Sequence, residues 1–150
     1  MSEALTISEV TDDDIAALVD LWQRAGLTRP WNNPEQDIAF ARSSPAAAML
    51  IGKRAGRIVA SVMVGHDGHR GAYYYVASDP DLRGQGLGRA IMAAAEDWLK
   101  DQGIWKVNLI VRGDNLVAKG FYEAIGYQVE PNIQMGKRLD GKALPHAPSQ

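Results

Sequence analysis

Apolar and polar residues alternate from Ala4 to Val10, the period of a half-buried strand. Thr11 and three aspartates, Asp12 to Asp14, follow as a helix entry with acids in its first turn. Ile15, Leu18, Val19 and Trp22 fall on one helical face, and Gly26 ends that helix. Leu27 to Pro34 reads as a loop and Glu35 to Arg42 as a short second helix, broken by Ser43-Ser44-Pro45. Met49 to Lys53 and Arg57 to Gly65 are strands joined at Ala55-Gly56, and an Asp67-Gly68 turn leads into a strand from Gly71 to Ser78. Leu87, Ile91, Ala94, Ala95, Trp98 and Leu99 share one face of a long helix that stops at Gly103. A strand over Trp105 to Val111 follows. Asp114 or Asn115 then caps a helix running through Ile125, with Gly126 as its stop. Tyr127 to Glu130 and Asn132 to Lys137 read as two final strands around Pro131, and Leu139 to Gln150 as a frayed tail. The order β-α-α-β-β-β-α-β-α-β-β predicts an α/β protein with a mixed central sheet of six to seven strands and helices on both faces.

The length of 150 residues suits one domain, expected over 1–138 with a C-terminal tail at 139–150. A net charge of -2 without a basic block gives no support to a nucleic-acid partner. There is no cysteine, so a disulfide framework, a cysteine nucleophile and a thiolate metal site are all excluded. Met1 to Val10 lacks the features of a leader, and no apolar run approaches the ~18 residues of a membrane span. The expectation is a soluble, cytoplasmic protein without a membrane partner, as a monomer or a homodimer.

The chemistry concentrates in Arg83-Gly84-Gln85-Gly86-Leu87-Gly88-Arg89, between the strand ending at Ser78 and the long helix. Alternate glycines let a ligand approach the backbone, and the helix aims its positive dipole end at the same point. With two flanking arginines this is a seat for a phosphate or pyrophosphate. It is not a P-loop, because Arg89-Ala90 follow Gly88 where Lys-Ser/Thr is required. The dinucleotide fingerprint fails too, since its third glycine falls on Arg89 or Ile91.

The spacing Arg83, Gly86, Gly88 resembles the acetyl-CoA pyrophosphate loop of the GNAT N-acetyltransferases. The predicted element order resembles theirs over roughly residues 4 to 138. A second stretch, Asn115 through Tyr122-Glu123 to Ile125-Gly126-Tyr127, is similar to that family's Asn, six residues, Tyr-Glu-x-x-Gly-Phe/Tyr pattern. The resemblance implies that Arg83, Gly84, Gln85, Gly86, Leu87, Gly88 and Arg89 bind acetyl-CoA, with Asn115 touching its pantetheine arm. It implies that Tyr122 protonates the departing thiolate as the catalytic residue. It also implies that the backbone of Val76, Ala77 and Ser78 pairs with the pantetheine amides in a gap between splayed strands. Tyr122 also reads as an aromatic packed beside Phe121, and Asn115 as a plain helix cap. Arg29-Pro30-Trp31-Asn32 and Gly65-His66-Asp67-Gly68-His69-Arg70-Gly71 resemble a YpeA-like subgroup of small bacterial GNATs. Trp31 reads equally as a groove wall or as a core residue. His66, Asp67 and His69 make a poor metal site, because two imidazoles on a turn tip lack further donors; no metal is expected.

Relatives that acetylate ribosomal proteins carry a glutamate base where Ile110 stands, and Ile110 cannot accept a proton. His66, Asp67, His69, Glu35, Asp37 and Glu130 are conceivable bases, none singled out. The expected function is direct acetyl transfer from acetyl-CoA to a primary amine, on a small molecule or a protein N-terminus, within a ternary complex. Without a strong base, an α-amine with pKa ~8 suits the enzyme better than lysine at ~10.4. The alternatives are a non-catalytic acyl-CoA-binding module, another acyl-CoA donor, or a lysine acceptor.

Overall fold

The computed structural model describes residues 4–145. The chain divides into two compact units, Met1–Ile110 and Val111–Gln150. The first contains five strands in one sheet: β1 (Thr6–Glu9), β2 (Ala47–Arg54), β3 (Arg57–His66), β4 (Gly71–Ser78) and β5 (Val107–Asn108). They lie in the order β1-β2-β3-β4-β5. The first four are antiparallel, whereas β5 runs parallel to β4. A parallel neighbour needs a crossover, and here the long helix between the two strands supplies it.

Three helices cover this sheet: α1 (Ile15–Arg24), α2 (Pro34–Arg42) and α3 (Leu87–Asp101). Along β2, Met49 and Ile51 join the core under α1 and α2 with Leu18, Leu21, Trp22 and Ile38. Alternation turns Ala48 and Leu50 to the opposite face, where they are also buried. There α3 packs through Leu87, Ile91, Met92, Ala95 and Leu99, all buried. The approach is close at Gly71, where an added Cβ would lie 2.6 Å from Leu99 Cδ1. Only glycine lets α3 sit this near β4. Helices on both faces of a mixed sheet are what the sequence pattern predicts.

β4 is not the smooth strand the sequence suggests. Its ladder with β3 pairs Met63 with Tyr74 but Ser61 with Ala77, and the register shifts between them. Tyr75, inside this bulge, has φ +52°. A bulge re-aims a side chain. Tyr75 turns onto the α1 face, where its ring stacks on Trp22 at 3.9 Å and 12°.

The second unit contains α4 (Leu116–Ala124). Two expectations need correction. Tyr127 to Glu130 and Asn132 to Lys137 form no strand, so among the described residues the sheet has five strands rather than six to seven. Their apolar side chains are exposed, among them Val129, Ile133 and Met135. Alternation records which face a strand would bury, whereas a strand exists only where its N–H and C=O groups meet a ladder partner. Pro131 removes one such donor. For the same reason Trp105 to Val111 shortens to two ladder residues in β5. No helix among the described residues is long and apolar enough to cross a membrane.

Candidate active site

The glycine loop is held at its start by Asp79. This buried carboxylate caps a 3-10 turn at Pro80–Leu82, its Oδ1 accepting the Asp81 N–H at 2.9 Å. The same oxygen takes a hydrogen bond from Arg24 Nη1 at 3.0 Å, and the Asp79 N–H donates to the Val59 carbonyl. Burial raises the Asp79 pKa, but the Asp81 N–H and Arg24 outweigh it, and the net shift is downward. This anchor has no local sequence signature, because Arg24 lies on α1, 55 residues away.

Beyond the anchor, Gly84 and Gly86 both have φ +75°, which disfavours any side chain. Nothing lies within 4 Å of a Cβ built at either one. The space beside both glycines is open, and Gly86 caps α3 directly. Leu87 is buried beneath it and anchors the first helical turn. Gly88 follows inside that turn. Arg83 and Arg89 are exposed. Gln85 Oε1 accepts from Arg54 Nη1 at 2.5 Å, which brings a third guanidinium from the β2–β3 hairpin to the loop. Arg54 carries no local sequence signal, because its contact spans 31 residues and depends on how β2 packs beside the loop.

Next to the loop, the β4–β5 ladder covers only Gly71–Val107 and Ala72–Asn108. Val76, Ala77 and Ser78 lie beyond its last pair, while β3 engages β4 at Ala77 and Ser78. Among the described residues, the side of β4 towards β5 thus has no ladder partners at the residues expected to pair with an extended ligand.

A groove of about 770 Å³ opens on the same sheet, lined by α2, the end of β3, β4 and the stretch through Ile110. Asn32, Asp37, Phe40, Tyr74 and Tyr75 contribute to it. Trp31 does not line it and is 41% exposed, so it does not close the core. Asp37 Oδ2 accepts the Tyr75 hydroxyl at 2.5 Å. Burial and then the Asp37 carboxylate push the Tyr75 phenol well above its ordinary pKa, so it stays a proton donor. Trp22 Nε1 donates to Ser61 Oγ at 2.9 Å, and Ser61 donates to the Tyr75 carbonyl at 2.8 Å. This cycle holds a backbone conformation that costs of order 1–3 kcal/mol outside glycine.

The hairpin tip resolves locally. Asp67 Oδ1 accepts the His69 and Arg70 N–H groups, and His66 Nδ1 accepts the Gly68 N–H. The Arg70 and His69 N–H groups hold the Asp67 carboxyl below the usual range. Arg70 lies over the Trp105 ring at 4.2 Å. Ile110 lines the groove and brings no proton acceptor to it.

In the second unit, Asn115 caps α4, its Oδ1 accepting the Ala118 N–H at 3.1 Å. Tyr122 meets Phe121 and Tyr127 edge to face, with centroids 5.1 and 5.8 Å away. Burial, then Tyr127, pushes its phenol up to about 12.

Residues 11–127 match the acetyltransferase (GNAT) family. An acetyltransferase of Pectobacterium atrosepticum is 42% identical over 127 residues, covering 85% of this chain and 90% of that protein. The ribosomal-protein-S18-alanine N-acetyltransferase of Escherichia coli superposes with TM-score 0.70 at 28% identity, over 82% of this chain and 77% of that one. An N-acetyltransferase of Thermoplasma acidophilum, solved in complex with coenzyme A, superposes with TM-score 0.75 at 16% identity, over 87% and 93% of the two chains. From a family match spanning most of its length and a relative this similar, the chain belongs to the GNAT family of acetyltransferases and is an N-acetyltransferase by class.

Proposed function

We propose that the chain transfers acetyl directly from acetyl-CoA to a primary amine, on a small molecule or a protein N-terminus, in a ternary complex. The observation that carries this reading is the open loop of Gly84 and Gly86, both at φ +75°, at the N-terminus of α3 and beside a β4 edge free of ladder partners. With open space beside both glycines, the loop suits a pyrophosphate held by converging N–H groups. Arg83 and Arg89 add charge, with Arg54 and Gln85 beside them. Backbone groups of Val76, Ala77 and Ser78 are suited to pair with the amides of an extended arm. Acetyl-CoA would supply an acetyl group already activated as a thioester.

Asn115 is read as a contact to the cofactor arm and Tyr122 as the group that donates a proton to the leaving sulfur. The amine nitrogen bonds to the acetyl carbon, the carbon–sulfur bond breaks, and the nitrogen gives up a proton to water. Residues 1–138 are read as one acetyltransferase domain, which the family match over 11–127 supports by spanning both units.

The test is a panel of primary amines with acetyl-CoA, read as free thiol, alongside calorimetry of acetyl-CoA alone. Turnover of at least one amine is expected. Binding of acetyl-CoA with no turnover of any amine would make the chain a non-catalytic acyl-CoA module, and no binding would remove the cofactor site.

A further inference from the structure

We propose that the groove beside β4 selects a cationic acceptor with an apolar body, the Asp37 carboxylate holding its ammonium and Phe40 and Tyr74 its body. The inference rests on the N-acetyltransferase reading, which requires an amine without saying which kind.

Asp37 sits on α2 and is half-buried, facing the groove. One of its oxygens accepts the Tyr75 hydroxyl, and the other, Oδ1, accepts no hydrogen bond among the described residues. A half-buried carboxylate with a free oxygen facing a groove suits a cationic donor. Its position is fixed from below. Tyr75 is clamped through its ring by Trp22 and through its carbonyl by Ser61. Val76, read above as the start of the cofactor-binding backbone, is the next residue after Tyr75. The clamped Tyr75 thus joins the Asp37 anchor to the backbone read as cofactor-binding.

The walls are apolar. Phe40 is 82% exposed and Tyr74 58% exposed, and both line the groove. Large apolar side chains left in water around one carboxylate favour a ligand that is cationic at one end and apolar along its length. The groove's other charged groups are less suited to this role. Asp67 stands on the exposed hairpin tip and closes its own turn, and Arg70 lies over Trp105.

Binding can be read without turnover. Phenethylamine carries an ammonium on an aromatic body, and 2-phenylethanol has the same body without charge. Calorimetry on the full chain should show phenethylamine binding more tightly by about tenfold or more, as expected for a charge-assisted hydrogen bond over a neutral one. Asp37→Asn keeps an acceptor for the Tyr75 hydroxyl and removes the charge. It should abolish the preference and leave the Kd for acetyl-CoA unchanged, with a modestly lower melting temperature because the Tyr75 hydroxyl loses a charged acceptor. Asp67→Asn, which can still close its turn, separates the two groove carboxylates and should leave the preference intact. The proposal is overturned if phenethylamine shows no preference over the alcohol, if the preference survives Asp37→Asn, or if Asp67→Asn removes it. A preference that depends on Asp37 in a protein with no acetyl transfer would uphold the groove and reject the transferase reading.

Discussion

Asp14 turns a local sequence signal into a long-range contact. Its Oδ2 accepts both the N–H and the hydroxyl of Thr11 at 2.9 Å, closing the entry to α1, and its Oδ1 meets Lys53 Nζ at 2.7 Å. Lys53 and then the Thr11 N–H lower its pKa against the opposing effect of burial. A carboxylate depressed in the folded state stabilises above the unfolded value of about 3.9, and that contribution is lost as pH falls through the folded value. Asp14→Asn should cost about 1–2 kcal/mol at neutral pH. It should also flatten the acid side of a urea-stability profile taken from about pH 6 to pH 3; an equally steep profile would assign the acid sensitivity to other carboxylates. At Gly86 the expectation concerns binding. Gly86→Val puts a branched side chain at φ +75°, costing about 1–2 kcal/mol in stability. Acetyl-CoA affinity should drop far more than that, and an unchanged Kd in a folded variant would refute the loop assignment. At Tyr122, a phenol pushed up to about 12 keeps its proton throughout the neutral range. Passing that proton to a thiolate of pKa ~8.5 is uphill by roughly 5 kcal/mol unless the bound sulfur is less stabilised than in water. Tyr122→Phe should still lower kcat on the order of 10²-fold with little change in the Kd for acetyl-CoA. A kcat equal to wild type, with chemistry rate-limiting, would reduce Tyr122 to its edge-to-face packing.

At the scale of elements, the contact between α3 and β4 is the tightest constraint. Gly71→Ala pushes a methyl against the buried Leu99 side chain, with 2.6 Å to the nearer methyl. Overpacking of this kind typically costs about 1–3 kcal/mol. The loss should appear as a lower urea midpoint with the slope unchanged, and a midpoint within error of wild type would mean that Leu99 swings away freely. The helices were the most legible elements, because α1, α3 and α4 carry their own period and their own stops at Gly26, Gly103 and Gly126. The strands were legible in position but not in pairing. The hairpin at Ala55-Gly56 is local and legible, whereas β5 has only two ladder residues and the described segments after Gly126 form none. The bulge in β4 left no mark at all, since Tyr75 is an ordinary strand residue and no glycine advertises its positive φ.

For the molecule as an enzyme, Ile110 brings no proton acceptor to the groove, and Asp37 is proposed above to hold the ammonium rather than to take its proton. The rate should follow the neutral fraction of the acceptor, so kcat/KM should rise with unit slope to the acceptor's own pKa. Two acceptors whose amine pKa values differ by about two units should give breakpoints about two units apart. A breakpoint fixed near neutrality for both would mean that a group on the enzyme titrates. What the sequence determined by itself was whatever lies within a few residues: the glycine loop and the helix it opens, the Asn115 cap, the Asp67 turn and the family. Backbone conformation and capping depend on neighbours along the chain, so these features are written in consecutive positions. The tertiary structure alone decided the rest. It brought Asp79 to Arg24, Arg54 to Gln85, and Trp22, Ser61 and Asp37 around Tyr75, contacts spanning 14 to 55 residues. No periodicity encodes such meetings, because they depend on strand register and on which helix face lands on which strand, and those are settled only when the whole core packs.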